Sequence, residues 1–185
     1  DMTGKVVIVT GATSGIGNAA ARAFSEAGAD VVIVGRAQGR LDDAAAAIGE
    51  VETALADLSD LDQARQFVSE FTASHDRLDV LVHNAGALVA EYRANPQGFE
   101  DTYASQVLSQ HILTAGLLPL LQRSRGRVIT VSSGGMYSVG LDPDTVEMSE
   151  ADFDGVRAYA LAKRAQVTLN EQWAQRFGDS VTFQA

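Results

Sequence analysis

The sequence contains no cysteine and only three prolines among its 185 residues. The absence of cysteine excludes a disulfide framework, a thiol nucleophile and a thiolate metal site, and it is compatible with a reducing cytosol. Basic residues are also scarce: 14 Lys and Arg stand against 24 Asp and Glu, which gives a formal net charge of −10. Such a chain repels phosphate backbones, so we expect no nucleic-acid partner, and any bound phosphate must rely on local donors.

Long hydrophobic runs are missing as well. The chain has no apolar stretch of transmembrane length and no charged-then-apolar leader, so we expect no membrane span and a cytoplasmic protein. Hydrophobic residues still make up 46% of the chain, enough for a sizeable core, and no linker divides it, which predicts one domain over 1–185. The histidines His75, His83 and His111 lack metal-ligand spacing, so no metal site is expected.

The most informative feature that is present is a glycine-rich turn, Thr10 to Gly17, between the apolar run Val6 to Val9 and a helix-period stretch. Gly11 suits a sharp turn out of a strand, Gly15 removes a Cβ where a pyrophosphate must approach, and Gly17 permits close packing of the helix. Free N–H groups at the helix start would face the anion. Because strand, turn and helix come in the required order, we assign to a dinucleotide site the residues Gly11, Thr13, Ser14, Gly15, Ile16 and Gly17.

Short β-branched runs alternate with longer helix-period stretches along the whole chain. This alternation predicts an α/β fold with a doubly wound parallel sheet, a Rossmann fold, in a single domain. The predicted strands are Val6 to Thr10, Val31 to Val34, Val51 to Ala54, Val80 to His83, Val128 to Val131 and Val181 to Gln184. Predicted helices follow the glycine turn as far as Gly28 and then cover Asp60 to Ala73, Phe99 to Leu121 and Arg157 to Phe177.

Two segments depart from this rhythm. Residues 134–156 hold six acidic residues and no Lys or Arg, so we expect a solvated, mobile loop or a functional lid, with a plain surface loop as the alternative. The chain also ends at Ala185, directly after the sixth predicted strand, where a loop of the site ordinarily follows in open α/β sheets. We therefore expect the domain to lack its C-terminal portion.

A second group of candidate residues is Tyr159 and Lys163, whose four-residue spacing places them on one face of a helix. A fixed neighbouring cation favours the phenolate form of a tyrosine, so Lys163 could prepare Tyr159 to exchange a proton with an alcohol or carbonyl oxygen. Ser133, at the end of the fifth predicted strand, could hydrogen-bond the same oxygen. Taken alone, a Tyr/Lys pair at this spacing is more often amphipathic packing.

The end of the second predicted strand bears on the choice of cofactor. NAD sites usually carry an acid there, which accepts hydrogen bonds from the ribose 2′-OH, whereas this chain has Gly35 followed by Arg36. A guanidinium can form a bidentate contact with a 2′-phosphate, and Arg40 is near enough in sequence to help. We therefore expect NADP, with NAD less favoured; the alternative is a solvated arginine at a helix start.

Together these motifs resemble the short-chain dehydrogenase/reductase family over essentially the whole chain. The glycine turn is similar to the family's T-G-x-x-x-G-x-G loop, and Ser133, Tyr159 and Lys163 match its catalytic positions. Asp57-Leu58 resembles its adenine-contacting pair, and Asn84-Ala85-Gly86 resembles its N-A-G turn. Within the family, Val131 to Met136 and Trp173 to Gln175 resemble the branch of retinol-dehydrogenase-type and dehydrogenase/reductase member 12-like proteins.

The resemblance implies roles for further residues. Asp57 would cap the adenine amino group, Asn84 would brace the central strands beside the cofactor, and Lys163 would also hold the nicotinamide ribose. Family members commonly carry an asparagine on the long helix after the fourth strand, where it holds a water in the proton path; alignment places Gln106 there. The extra methylene shifts the amide, so we expect a slower or rerouted proton relay. A homodimer or homotetramer through the long helices is also implied.

The sequence thus predicts an NADP-dependent oxidoreductase that interconverts an apolar alcohol and its aldehyde or ketone by hydride transfer. The alternative is a non-catalytic NADP-binding redox sensor or scaffold, which the departure at Gln106 favours. A nucleotide-sugar epimerase fits poorly, because such proteins space their glycines as G-x-x-G-x-x-G and this chain does not.

Overall fold

The computed structural model describes residues 1–185 as alternating strands and helices. The strands are β1 (Val6–Thr10), β2 (Asp30–Gly35), β3 (Glu52–Leu55), β4 (Val80–His83), β5 (Arg127–Thr130) and β6 (Thr182–Gln184). They form one sheet in the order β3-β2-β1-β4-β5-β6, and every neighbouring pair is parallel. The order reverses between β1 and β4, which creates a crevice at the carboxyl ends of these two strands.

The helices are α1 (Gly15–Glu26), α2 (Gln38–Ile48), α3 (Leu61–Ser74), α4 (Asp101–Tyr103), α5 (Ser109–Ser124) and α6 (Gly155–Phe177). A π helix, Ala104–Leu108, joins α4 to α5. We call it the π turn. Short 3₁₀ helices cover Gly134–Ser138 and Glu150–Asp152. No helix combines the length and the apolar character needed to cross a membrane.

The alternation of side chains along the strands divides the core into two layers. Val7 and Val9 of β1 point into a cluster formed with α1 and α2. Val6 and Ile8 point to the opposite face, where α3 and α5 supply phenylalanine and leucine side chains. Both faces of the central strands are therefore buried, as in other parallel sheets covered by helices.

This architecture confirms the predicted fold class, and each predicted strand lies within one residue of an observed one at both ends. The helix α2 was not among the predicted helices. The predicted helix over Phe99 to Leu121 is observed as α4, the π turn and α5, and it continues to Ser124. The π turn has no sequence signature that we could have used.

The acidic segment 134–156 makes specific contacts with the rest of the molecule. Leu141 and Val146 pack on a small buried cluster of Val107, Ala162 and Ala165. Glu147 Oε1 accepts a hydrogen bond from the backbone N–H of Glu100 at 2.8 Å. The mobility expected of this segment stays a prediction.

Candidate active site

An open cleft of about 650 Å³ lies at the carboxyl ends of the strands, where the order of the sheet reverses. Its two sides are tied together by Asn84, which follows β4. The Asn84 side-chain amide donates to the carbonyl oxygens of Thr10 (3.0 Å) and Gly11 (3.2 Å). Thr10 Oγ1 in turn donates to Val82 O and accepts from the backbone N–H groups of Asn84 and Ala85. Asn84 and Thr10 thus join the ends of β1 and β4, as the predicted bracing role requires.

Two glycines of the turn after β1 are required by close approach to this joint. Gly11 has a φ of +66°, and a Cβ there would lie 2.8 Å from Ala85 Cα. A Cβ on Gly17 would overlap the Asn84 amide and lie 2.6 Å from Gly11 O. A glycine at position 17 is therefore required by contact with both Asn84 and the Gly11 carbonyl. Gly15, by contrast, has no heavy atom within 4 Å of its Cβ position, so its cleft side is open.

Two of the helix N-termini that border the cleft lack a side-chain cap. α1 and α2 begin after Ser14 and Ala37, which line the cleft, and neither start has a side-chain cap. The starts of α3, α4 and α6 are instead capped by the carboxylates of Asp60, Glu100 and Asp154. The first-turn N–H groups of α1 and α2 are therefore free of competing side-chain acceptors, and they favour a bound anion.

Two arginines that follow β2 line the same cleft. Arg36 is exposed and lines the cleft together with Arg40, whose guanidinium lies 3.4 Å from Ser14 Oγ. Gly35 has no room for a side chain, because a Cβ would lie 2.8 Å from Thr13 Cγ2 and 3.2 Å from Leu41 Cδ2. An acid could not occupy position 35 without displacing these neighbours.

The other predicted cofactor residues also line the cleft, including Thr13, Ile16, Asp57, Leu58, Ala85 and Gly86. Ile16 is largely exposed there. The Asp57 carboxylate accepts hydrogen bonds from the backbone N–H and the hydroxyl of Ser59. Leu58 belongs to the buried core and also borders the cleft. The side chain that caps α3 is Asp60 and not Asp57.

The predicted catalytic residues Ser133, Tyr159 and Lys163 line the same cleft. Lys163 is 2% exposed, its ammonium donates to Val131 O at 2.9 Å, and it lies 5.5 Å from the centre of the Tyr159 ring. Burial lowers the pKa of Lys163 to about 8. Ser133 Oγ accepts a hydrogen bond from Gly135 N at 3.3 Å, so it also caps the 3₁₀ helix that follows.

Gln106 lies in the π turn, next to Gly86 and Lys163. Its Nε2 donates to Ala87 O at 3.0 Å, whereas its buried Oε1 has no protein partner. A Cβ on Gly86 would lie 2.7 Å from Gln106 Oε1 and 3.3 Å from Lys163 Nζ, so both polar atoms border the same small space. The Gln106 amide therefore lies close to the Lys163 ammonium.

Sequence reasoning missed three large apolar side chains that are exposed and close in sequence to cleft-lining residues: Leu88, Tyr137 and Val156. Their side chains are 54%, 77% and 65% exposed. Leu88 lies between two cleft-lining residues, Tyr137 is four residues after Ser133, and Val156 is three residues before Tyr159. A Cβ on Gly155 would collide with Val89 O, so the first residue of α6 packs against the backbone just after Leu88.

Comparison with known proteins agrees with this geometry. A family model described as short chain dehydrogenase matches residues 5–142. The chain belongs to the short-chain dehydrogenase/reductase family. It is 40% identical over 179 residues to human dehydrogenase/reductase SDR family member 12, covering 93% of this chain and 56% of that protein. Human retinol dehydrogenase 14 is 31% identical, with 98% and 60% covered. Both relatives confirm the branch that the sequence resembles.

Among solved structures, a metagenomic short-chain oxidoreductase crystallised in complex with NADP is 27% identical to this member of the family. The superposition has a TM-score of 0.79 and covers 100% of this chain and 81% of that one. The chain spans little more than half the length of the curated relatives it matches.

Proposed function

We propose that the protein is an NADP-dependent oxidoreductase that interconverts an apolar alcohol and its aldehyde or ketone. The proposal rests on one observation: the two ends of a single cleft carry different chemical groups. Uncapped helix starts and Arg36 lie at one end, and a buried lysine lies beneath Tyr159 at the other. The first end suits an anionic dinucleotide, and the second suits proton exchange with an oxygen atom.

The cleft fits a dinucleotide phosphate on the evidence of its backbone. The space above Gly15 is open, and the N–H groups at the start of α1 have no side-chain acceptor. Ser14 and Ile16 border the same space. These residues would hold the pyrophosphate, Asp57 would bind the adenine amino group, and Lys163 would bind the nicotinamide ribose. The hydride chemistry is supplied by the nicotinamide of the bound cofactor.

Preference for NADP over NAD is supported by the residues at the end of β2, Gly35, Arg36 and Arg40. Thr13 and Leu41 leave no space for a side chain at Gly35, so the acid typical of NAD sites is excluded. Arg36 has no carboxylate partner and faces the cleft, with Arg40 beside it. Two guanidinium groups at this point favour a 2′-phosphate over a hydroxyl.

The proton chemistry is assigned to Tyr159, with Ser133 orienting the reacting oxygen. Lys163 Nζ uses one of its three protons on Val131 O, which leaves donors free toward the cleft. Its charge lies close to the Tyr159 ring and favours the phenolate. Because the pKa of Lys163 is about 8, this charge is present at neutral pH and is lost as the pH rises above 8.

An apolar substrate is supported by three exposed apolar side chains, Leu88, Tyr137 and Val156, each of which lies within four residues of a cleft-lining residue. Exposed apolar side chains favour an apolar ligand, because its binding removes their surface from water. The relatives include human polyprenol dehydrogenase and human retinol dehydrogenase 14, whose names refer to apolar alcohols.

The test compares Tyr159→Phe and Lys163→Ala with wild type, using NADPH and a panel of aldehydes and ketones graded in polarity. Tyr159→Phe should lower turnover by about 10²- to 10⁴-fold with NADPH affinity nearly unchanged, because the phenol acts only on a proton. Lys163→Ala should weaken both. Tyr92→Phe is the matched control, because Tyr92 packs on Phe153 and does not line the cleft.

Two outcomes would count against this assignment. If NADPH binds but no carbonyl is reduced and Tyr159→Phe changes nothing, the protein is a binding or sensing module. If Tyr159→Phe and Lys163→Ala weaken NADPH binding equally, the division of roles between the two residues is wrong.

A further inference from the structure

The core-facing side of α6 carries more polar residues than the proposed chemistry uses. Tyr159 and Lys163 are followed on the same stripe by Gln166 and Asn170, at helical spacing. Gln166 is 1% exposed and Asn170 is 6% exposed. Apolar residues would ordinarily occupy such positions, because burying an amide costs free energy unless its hydrogen bonds are restored.

Gln166 makes one hydrogen bond, and that bond joins two elements of the site. Its Nε2 donates to the backbone carbonyl of Gln106 at 2.8 Å. Gln106 lies within the π turn, where the N–H of Ser109 bonds Ala104 O five residues back. A π turn inside an α helix is an uncommon backbone state that is frequent at functional sites. The side chain of Gln166 is therefore fixed to the irregular backbone itself.

The same turn sets the position of the Gln106 side chain. Its amide is held by Ala87 O on one side, and its oxygen borders the space beside Gly86 that Lys163 Nζ also borders. The peptide that Gln166 holds is the one from which this side chain projects. A rotation of the π turn would move the Gln106 amide away from the ammonium.

Stability alone gives no reason to keep a glutamine at position 166. Its Oε1 is buried and has no protein donor, so one of its two polar atoms carries a desolvation cost. Methionine has nearly the same length and shape and would remove this cost. A polar residue at this position is better explained by what its one hydrogen bond holds in place.

We infer that Gln166 is a positioning residue of the active site: it fixes the π turn so that the Gln106 amide stays beside Lys163. The inference rests on the proposed function for its effect on turnover. Its effect on the π turn is independent of any activity.

The test uses Gln166→Met and the matched variant Gln110→Met in the full-length protein. Gln110 is also a buried glutamine with one donated hydrogen bond and an unpartnered Oε1, but its side chain bonds Thr130 Oγ1 of β5 at 3.0 Å and not the π turn. Amide hydrogen exchange is followed over the π turn, 104–108, and kcat and KM are measured with NADPH saturating. Thermal unfolding confirms that each variant is folded.

In Gln166→Met we expect exchange over 104–108 to rise about tenfold, the equivalent of one buried hydrogen bond. We expect kcat to fall by a similar factor with the KM for the carbonyl changed less than twofold, because the substrate-contacting residues are intact. Gln110→Met should leave exchange over 104–108 and kcat at their wild-type values.

Unchanged exchange in Gln166→Met, or the same increase in Gln110→Met, overturns the inference. If Gln166→Met does not fold, Gln166→Leu is measured in the same way and decides on the same criteria. If the wild-type protein reduces no carbonyl, the proposed function fails, while the exchange result still decides whether Gln166 holds the π turn.

Discussion

The two faces of the sheet are built from different chemistry. On the side of α1 and α2, the buried cluster is wholly aliphatic and includes Val7, Val9 and Ile33. On the opposite side, behind the proposed catalytic residues, polar side chains are buried among the aliphatic and aromatic ones. These are His83, Gln106, Gln110, Thr114, Thr130, Lys163, Gln166 and Asn170.

The difference indicates how the fold divides its tasks. The aliphatic face supports the end of the cleft where we propose that a cofactor binds to backbone N–H groups and to Arg36 at the surface. The polar face supports the end where the proposed chemistry holds protons at defined atoms, which would explain why polar groups are buried there in spite of their cost. Stability and activity should therefore respond differently to substitutions on the two faces.

The largest expected effect is on the aliphatic face. Ile33→Ala should lower the free energy of unfolding by about 2–5 kcal/mol, because Ile33 is fully buried and the cavity would not be refilled. Gln110→Met on the polar face should change it by less than about 1 kcal/mol, because an unpartnered oxygen is removed together with one hydrogen bond. Urea unfolding measures the free energy of unfolding of both variants. If Ile33→Ala and Gln110→Met lose the same amount, the two faces of the sheet do not differ in their contribution to stability.

The next largest effect concerns cofactor choice. One charge-assisted hydrogen bond from Arg36 should give the wild type about a ten- to hundredfold preference for NADP over NAD, and Arg36→Glu should invert it. The readout is the dissociation constant of each cofactor. Arg22→Glu is the control with the same charge change, because Arg22 is exposed on α1 outside the cleft. If the wild type binds NADP and NAD with equal affinity, Arg36 does not select the cofactor.

A third prediction concerns acid stability and the polar face. His83 is fully buried against Thr114 Oγ1 at 2.9 Å, and desolvation, with the nearby charge of Lys163, lowers its pKa to about 3. The unfolded chain binds a proton near pH 6.5 and the folded protein does not, so stability falls as the pH decreases from 6.5 toward 3.

The His83 contribution to this slope is about 1.4 kcal/mol per pH unit, and His83→Gln should remove it. Unfolding is measured in urea at pH 5, 6, 7 and 8. The slopes of the wild type and the variant should agree above pH 7, where His83 is neutral in both states. Identical slopes below pH 6 would show that His83 is already accessible to protons in the folded protein.

The smallest effect is expected in the acidic segment. Glu147→Ala should cost about 1 kcal/mol, because the Glu100 N–H loses its acceptor, and it should speed proteolysis within 139–154. Glu147→Gln keeps an oxygen acceptor and should cost less. If both variants are cleaved at the wild-type rate, the contact does not hold the segment, and the predicted mobility is favoured.

The sheet could be predicted from the sequence because its strands are short β-branched runs bounded by turns, as in Val31 to Val34. The helix α2 was missed for a functional reason: it starts after Ala37 without a cap, which removes the usual sequence sign of a helix start. Gln166 and Asn170 were equally hard to foresee, because polar residues at helical spacing normally indicate a solvated face. Only the packing of α6 against the π turn and β5 shows that they are buried.

Thr10 has a consequence for the kinetics of ligand entry. Its hydroxyl bonds the carbonyl of Val82 and two N–H groups beyond β4, so the strands on either side of the crevice are fastened at the point where they would have to separate. We therefore expect no hinge between the two halves of the cleft floor. Ligand association should then be a single step limited by diffusion and orientation, with an observed rate that rises linearly with ligand concentration and shows no slow closing phase.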